Sequence, residues 1–414
     1  MELFDREFQE WIDQHGADDT AALRLRYANA HQSVKEAILQ IECRAKADNK
    51  FARVNPLGGA VAPAAVKFAP RWFPTALSVE QATSASVACF HAAVVAPVAS
   101  LLDMTMGLGV DAAAIASLSA ASVTAIERDA RLCQFAKANY QHINNLDIIN
   151  ADSVDWLRTT GRSFDAIFID PARRDNLGRR VFNIHDCTPD VAEIITLMFD
   201  HAPDVYVKLS PMLDISATIA DLKHVAKVYI VEERGDVREL FVHLNRDTVS
   251  VVDDVEIEVV SAIGSFAFSR RQEAEAHECY AEPTPGAYLY EPSPAIMKAA
   301  PFRLLCSKFD LAALHPNTHL YLSGKAIDGF PGKRYHIVEV IPYSSKHIKR
   351  FAKTYPAASV SVRNFPCTAA VLRNKLKVNE SDNLKVVGAT LKGGAQVMIV
   401  ANPNFHGRGF TADD

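Results

Sequence analysis

The residues best suited to chemistry stand in an ordered series. In "LLDMTMGLGVDAAAIA", residues 101–116, an apolar run ends at Asp103. Gly107 and Gly109 then shape a tight turn, and an alanine-rich helix starts near Asp111. Glycines let a backbone approach a ligand without a Cβ clash, and a helix N-terminus offers free N–H groups. Further acids follow at the ends of apolar runs: Glu127 in "VTAIERDA", Asp152 in "IINADSVDWL" and Asp170 in "FIDPARRD". Open α/β sheets bind ligands at the carboxyl ends of their strands, where these acids would lie. Each could instead cap the helix that follows it.

Two cofactors could use the turn. Gly107, Gly109 and Ala112 satisfy the loose dinucleotide pattern G-x-G-x-x-G/A, with Glu127 placed for a ribose, which leaves an NAD(P)-dependent oxidoreductase as one reading. S-adenosylmethionine is the other. It has no pyrophosphate but carries an amino-acid end and a sulfonium cation, which favours carboxylates such as Asp103 and Asp111 near the turn. Glu127 would then take the ribose hydroxyls and Asp152 the adenine amino group.

The elements that must position these residues follow from periodicity. Residues 1–76 read as a helical region and connector, with Val34, Ile38 and Ile41 on one helix face and a proline- and glycine-rich stretch at 54–75. From 77 to 262, strands ending near Asp103, Glu127, Asn150, Asp170 and Lys208 alternate with helices, which predicts a parallel sheet covered on both faces. "VAKVYIVEERG" and "VRELFVHLN" read as an antiparallel pair added to it. Proline-rich residues 281–296 open a small α+β subdomain at 281–330, and a last domain spans 331–414. The apolar stretch 85–104 holds His91 and Pro97 and runs into Asp103, so it predicts a helix and then a strand, not a membrane span. With 414 residues, more than one domain is expected.

The last domain is basic. Residues 331–414 hold 13 Lys and Arg against 5 Asp and Glu, whereas residues 1–330 hold 31 against 44. Lys346, Lys349, Arg350 and Lys353 recur at i, i+3, i+4 and i+7, which makes one stripe on a helix, and "VLRNKLKV" adds Arg373, Lys375 and Lys377. A charge run is often only a solvated face, but these runs contain few acids, which points to a polyanion. The seven cysteines have no metal-ligand spacing and read as free thiols in a reducing, cytoplasmic setting; the acidic, amphipathic start is no signal peptide.

In order, "DMTMGLG", "AIERD", "NADSVDW" and "FIDPARRD" resemble motifs I to IV of class I S-adenosylmethionine-dependent methyltransferases. Together with "QIECRAKADNKF", "LSVEQATS", "VKLSPMLD" and "VRNFPCTAAVLRNKLKV", the chain is similar to bacterial methyltransferases that carry a C-terminal THUMP-like domain. The resemblance implies a Rossmann-like seven-stranded catalytic sheet, a small ferredoxin-like subdomain, and an RNA substrate in rRNA or tRNA. It implies a cofactor site of Gln81, Thr83, Asp103, Thr105, Gly107, Gly109, Asp111, Glu127, Arg128, Asp152, Ser153 and Asp170. Gln81 and Thr83 would close over the methionine end; the local alternative is a helix start capped by Ser78 with Gln81 in a capping box.

"FIDPARRD" stands where amino-directed methyltransferases place an acid or amide, two prolines and an aromatic. Asp170 and Pro171 match, while Ala172 and Arg173 depart. Asp170 would align a target N–H₂ with the methyl group, and Arg173 could stack on a base or hold a phosphate. The cysteine that carbon-directed uridine enzymes need after the fifth strand is replaced by "VYVKLSPMLD". There Lys208 could hold a phosphate, line the target pocket or snorkel from a strand end. Arg174 extends the basic run toward the substrate. A non-catalytic RNA-binding protein that keeps a methyltransferase shell is the remaining alternative.

Overall fold

A computed structural model describes residues 2–51, 54–59, 68–96, 98–119, 121–173 and 184–403. The chain forms two compact units, residues 1–265 and 266–414.

The first unit opens with helices α1 (Arg6–His15), α2 (Thr20–Arg26) and α3 (Gln32–Phe51). Phe8, Ile12, Leu23, Ala37, Ile38 and Ile41 gather in one buried cluster, so the apolar face read from α3 is the packed face. The next two helices, α4 (Ala76–Gln81) and α5 (Ala85–Val95), lead to β1 (Ser100–Asp103), α6 (Val110–Leu118), β2 (Ser122–Glu127), α7 (Ala130–Tyr140), β3 (Leu146–Asn150), α8 (Ser153–Thr159) and β4 (Ala166–Ile169). A short ribbon, β5 (Ala172–Arg173) with β6 (Cys187–Thr188), precedes α9 (Val191–His201), β7 (Asp204–Leu209), α10 (Ile215–Leu222), β8 (Val225–Glu233), β9 (Asp236–Asn245) and β10 (Glu256–Ser261).

The strands run in the order β10-β8-β9-β7-β4-β1-β2-β3 within a nine-stranded sheet, two strands more than the seven expected. Strands β3, β2, β1, β4 and β7 run parallel, while β9 is antiparallel to both neighbours. The chain reverses direction across the sheet between β1 and β4, and that switch point is where a crevice opens at the strand ends. An antiparallel strand slotted between β7 and β8 separates this sheet from the all-parallel dinucleotide-binding order. Strand β10 pairs parallel with β8. Burial explains the composition: β1 and β4 are covered on both faces, and their central residues are all buried.

The strand β11 (Gly264–Phe268) and helix α11 (Arg270–Glu275) carry the chain into the second unit. There β12 (Tyr288–Pro292), α12 (Pro294–Ala299), α13 (Phe302–Phe309), β13 (Ala312–Ala313), β14 (Tyr321–Ser323), β15 (Gly332–Pro342), α14 (Ser345–Thr354), β16 (Ser359–Arg363), α15 (Ala369–Leu376), β17 (Lys385–Thr390) and β18 (Gln396–Asn402) follow. Their sheet has the order β13-β14-β12-β15-β18-β17-β16 and runs across residue 330 through the β12–β15 pairing. Strand β18 shows why its sequence lacks alternation: Val397, Ile399 and Ala401 enter one apolar cluster, and Met398 and Val400 enter another. Among the described residues no helix is long and apolar enough to cross a membrane; stretch 85–104 divides into α5 and β1.

Candidate active site

Two residues of the glycine turn adopt left-handed geometry, Gly107 at φ +57° and Gly109 at φ +84°. A Cβ on Gly109 would come within 2.9 Å of the Tyr140 ring, whereas the space over Gly107 is open. The turn is stitched to its neighbours by main-chain bonds, Met104 N–H to the Phe168 carbonyl at 2.9 Å and Met106 N–H to the Ile126 carbonyl at 3.0 Å. Thr105 Oγ1 accepts from the Asp170 N–H at 2.6 Å, which ties the β1 turn to the end of β4.

The acids stand at successive strand ends. Asp103 closes β1 and is buried, its Oδ1 accepting from the Thr105 N–H at 2.9 Å. Burial pushes its carboxyl up to about 8. Glu127 closes β2 and accepts from the N–H groups of Gly107 and Asp129, each at 2.9 Å. Each carboxylate oxygen can accept more than one bond, so this leaves Glu127 able to serve a ligand as well. Asn150, read from the sequence only as a strand end, holds the end of β2 by donating to the Glu127 and Arg128 carbonyls at 2.8 and 3.1 Å. The Arg128 side chain is exposed. Asp152 caps α8 through Oδ1, which accepts from Val154 and Asp155 at 3.0 and 3.1 Å, and Ser153 is buried at the first helical position. The capping alternative therefore holds for Asp152; the other three acids do not cap a helix.

The glycine turn, Asp103, Glu127 and Asp152 thus lie along one rim, at the ends of β1, β2 and the β3–α8 turn. The rim presents in order a buried carboxyl, a half-buried carboxylate and an exposed one. The chemistry of these donors and acceptors fits S-adenosylmethionine.

On the other side of β1 the structure decides one open reading and departs from two others. Lys208 does not snorkel. It is buried at the end of β7, and its Nζ donates to Asp170 at 2.7 Å, Thr83 at 2.9 Å and Asp111 at 3.3 Å. Burial opposes its charge, but Asp111 and Asp170 outweigh burial and hold its pKa well above the usual lysine range. Second, Asp111 does not stand open beside the turn. It is buried in α6, with Oδ1 on His91 at 2.8 Å and Oδ2 shared by Thr83 and Lys208. Burial would raise it, yet Lys208 and His91 hold it well below the usual carboxylate range. Third, α4 is capped by Thr75, with Ser78 as the reciprocal partner, so the cap falls three residues before the expected Ser78 and Gln81 ends the helix, exposed. Thr75 is the hydroxyl in extended geometry immediately before the first helical residue, which is what a cap requires.

His91 and Glu239 complete the network and were not singled out from the sequence. His91 is fully buried in α5; Nδ1 meets Asp111 at 2.8 Å and Nε2 meets Glu239 of β9 at 2.5 Å. Burial disfavours its charge, but Glu239 and Asp111 outweigh it and lift the imidazole to about 9. The available signal was a histidine inside the otherwise apolar helix "ASVACFHAAVV", since a buried polar group must find partners.

Asp170 is only partly covered, with 46% of its side chain exposed. It opens with Pro171 onto a cavity of about 520 Å³ lined also by Lys50, Thr83, Lys208, Ser210 and Glu239. None of Gly107, Glu127 and Asp152 lines this cavity. It therefore lies on the side of β4, β7 and β9, and Thr105, bonded to the Asp170 N–H, ties it to the glycine turn. Arg173 lies in β5; Arg174, Arg179 and Arg180 lie outside the described residues.

In the second unit, Lys346, Lys349, Arg350 and Lys353 are all exposed on α14, whose opposite face buries Phe351. None of the four has an ion-pair partner among the described residues. The α15 group is different: Arg373 pairs with Glu380 and Lys375 donates to the Tyr343 hydroxyl at 3.0 Å, because the turn after the helix returns an acid. Lys377 remains exposed.

The sheet order, the glycine turn and the rim of acids define a class I S-adenosylmethionine-dependent methyltransferase, one that carries a C-terminal THUMP-like domain. Residues 77–186 match the family described as conserved hypothetical protein 95, residues 288–331 a ferredoxin-like domain and residues 332–403 a THUMP domain-like family. A solved structure from Porphyromonas gingivalis W83, provisionally described as a methyltransferase, is 27% identical and superposes with a TM-score of 0.82 over 97% of this chain and 100% of its own. Two more distant structures cover less than half of this chain. An O-methyltransferase from Bacillus cereus in complex with SAH is 12% identical, with a TM-score of 0.31 over 40% of this chain and 83% of its own. An rRNA methylase from Streptococcus thermophilus is 17% identical, with a TM-score of 0.28 over 38% and 93%. These two likenesses are too distant to bear on substrate.

Proposed function

We propose that this protein methylates a base in rRNA or tRNA, with Asp170 as the group that orients the target atom. The observation that carries the reading is the placement of Asp170. It stands at the end of β4, fixed by Thr105 and Lys208, facing a cavity that adjoins the rim suited to S-adenosylmethionine.

When bound, S-adenosylmethionine supplies an activated methyl group. Asp103, Gly107, Glu127 and Asp152 hold the cofactor, with Thr105, Gly109, Arg128 and Ser153 shaping the rim and Gln81 and Thr83 over its methionine end. Asp111 acts at one remove, by holding Thr83 and Lys208. Lys208 fixes Asp170 through Oδ2, which leaves Oδ1 to accept from a target N–H and turn the nitrogen lone pair toward the methyl group. An exocyclic amine suits this carboxylate, because the proton can leave after transfer. Pro171 stiffens the turn, and Arg173 and Arg174 supply positive charge for the substrate. Lys346, Lys349, Arg350, Lys353 and Lys377 contact RNA phosphates, which positions the substrate without reading its sequence.

Nucleoside mass spectrometry of total RNA, with and without the gene, tests this. One methylated base is expected to disappear and to return with the wild-type gene. An Asp170→Ala copy is expected to restore about 1% or less of it, while its protein still binds S-adenosylhomocysteine. A Glu127→Ala protein is expected to lose that binding by about tenfold or more. Unchanged RNA in the deleted strain would refute the reading.

A further inference from the structure

The wall of the cavity beside Asp170 carries cations together with the acids Glu80, Glu233 and Glu239, and Arg238 is paired there with Glu233 at 3.5 Å and Asp236 at 4.0 Å. Lys50 reaches it from α3, and Arg234 and Arg238 from the β8–β9 hairpin. Lys50 Nζ donates to the main-chain carbonyls of Val79 at 2.8 Å and Glu80 at 2.7 Å, which uses two of its three N–H groups. It has no carboxylate partner within ion-pair distance among the described residues. The acids nearby are engaged: Glu80 by Lys46 at 3.3 Å, and Glu233 by Ser84 at 2.8 Å and by Arg238 at 3.5 Å. Burial, and then the cations Arg238 and Lys208 set against the acids Glu233 and Glu80, push the Lys50 ammonium down to about 8. An ammonium crowded by cations in a half-buried wall is stabilised by an arriving anion. At about 520 Å³ the cavity falls in the range of sites that enclose a whole small molecule, more than the reacting amine alone requires.

We propose that Lys50 and Arg238 form a phosphate subsite that holds the phosphate of the nucleotide whose base faces Asp170. The inference rests on the base-methylation reading and deepens it, since the chain then recognises a whole nucleotide turned into the cavity. It also gives the N-terminal helices a direct part in the site through α3.

Wild-type, Lys50→Met, Lys50→Arg and Arg238→Met proteins, saturated with S-adenosylhomocysteine, are titrated by NMR with the four ribonucleoside 5′- and 3′-monophosphates and the matching nucleosides. At least one monophosphate is expected to bind wild-type protein about tenfold or more tighter than its nucleoside. The ratio is expected to fall close to one in Lys50→Met and Arg238→Met and to persist in Lys50→Arg, with affinity for S-adenosylhomocysteine unchanged throughout. A ratio near one in wild type, or a ratio untouched by both Met variants, overturns the subsite. So does a loss of S-adenosylhomocysteine affinity in Lys50→Met, which would assign Lys50 to the cofactor's own carboxylate. A parallel assay of tritiated methyl transfer to total RNA from gene-deleted cells separates the two readings. Discrimination without transfer leaves the subsite standing and removes the methylation reading; transfer without discrimination does the reverse.

Discussion

Asp103 and Asp111 lie eight positions apart around one turn and are held in opposite charge states. Asp103 is buried beside Asp111 and Asp170, which disfavours its ionised form; Asp111 is buried between two cations, which favours it. A cofactor ammonium arriving at Asp103 would reverse that balance, so cofactor binding at pH 7 is expected to release a proton. Calorimetry with S-adenosylhomocysteine in phosphate and in Tris should give different apparent enthalpies, and Asp103→Asn should abolish the difference; equal enthalpies for wild type would sink the assignment. Lys208 carries the complementary prediction. Removing one partner of a buried ion pair leaves uncompensated charge, at about 3–5 kcal/mol. Lys208→Met should lose stability of that order in urea denaturation, and adding Asp111→Asn should recover part of it.

Helix α3 works as a rail for the segment that precedes the catalytic sheet. Gln40 donates to the Phe73 carbonyl at 2.7 Å and accepts from its N–H at 2.9 Å, while Glu36 takes Arg131 of α7 at 2.9 and 3.0 Å and Lys50 ends the series at α4. Because Gln40 is fully buried, Gln40→Ala leaves both Phe73 groups unsatisfied and should cost about 1–3 kcal/mol. A loss below about 0.5 kcal/mol, the size of an ordinary surface change, would show that α3 does not hold this segment. Helix α14 makes a different prediction, since its basic face is free of acids. Lys349→Glu with Arg350→Glu should weaken RNA binding and flatten its log–log salt dependence, by about 0.7 for each single-strand phosphate that is no longer neutralised. An unchanged salt slope would mean that the stripe is only a solvated face.

For the molecule as a whole, the buried charges set how stability follows pH. His91 has a folded pKa near 9, above its ordinary value of 6.5, so its contribution is complete below 6.5 and is lost as pH rises through 9. Asp103, near 8 against 3.8, likewise favours the fold most at low pH and loses its contribution as pH rises toward 8. Both effects act between about pH 6.5 and 8, so urea stability without cofactor should decline across that window. His91→Gln should show a shallower decline; an equal one would remove His91 from the account. The sequence by itself determined a great deal. The glycine turn, the acids at the strand ends, the β8–β9 pair and the α14 stripe are local patterns, since backbone conformation and 2- or 3.6-residue periodicity are written in neighbouring residues. It could not say that Lys208 is buried, that Asp111 turns away from the rim, or that Glu380 neutralises Arg373. Nor could it join His91 to Glu239, 148 positions on, or bring Lys50 of α3 to the cavity wall. Those facts belong to the tertiary structure, because burial and charge partners exist only once distant elements have packed, and a side chain's ionisation depends on what surrounds it rather than on what precedes it in the chain.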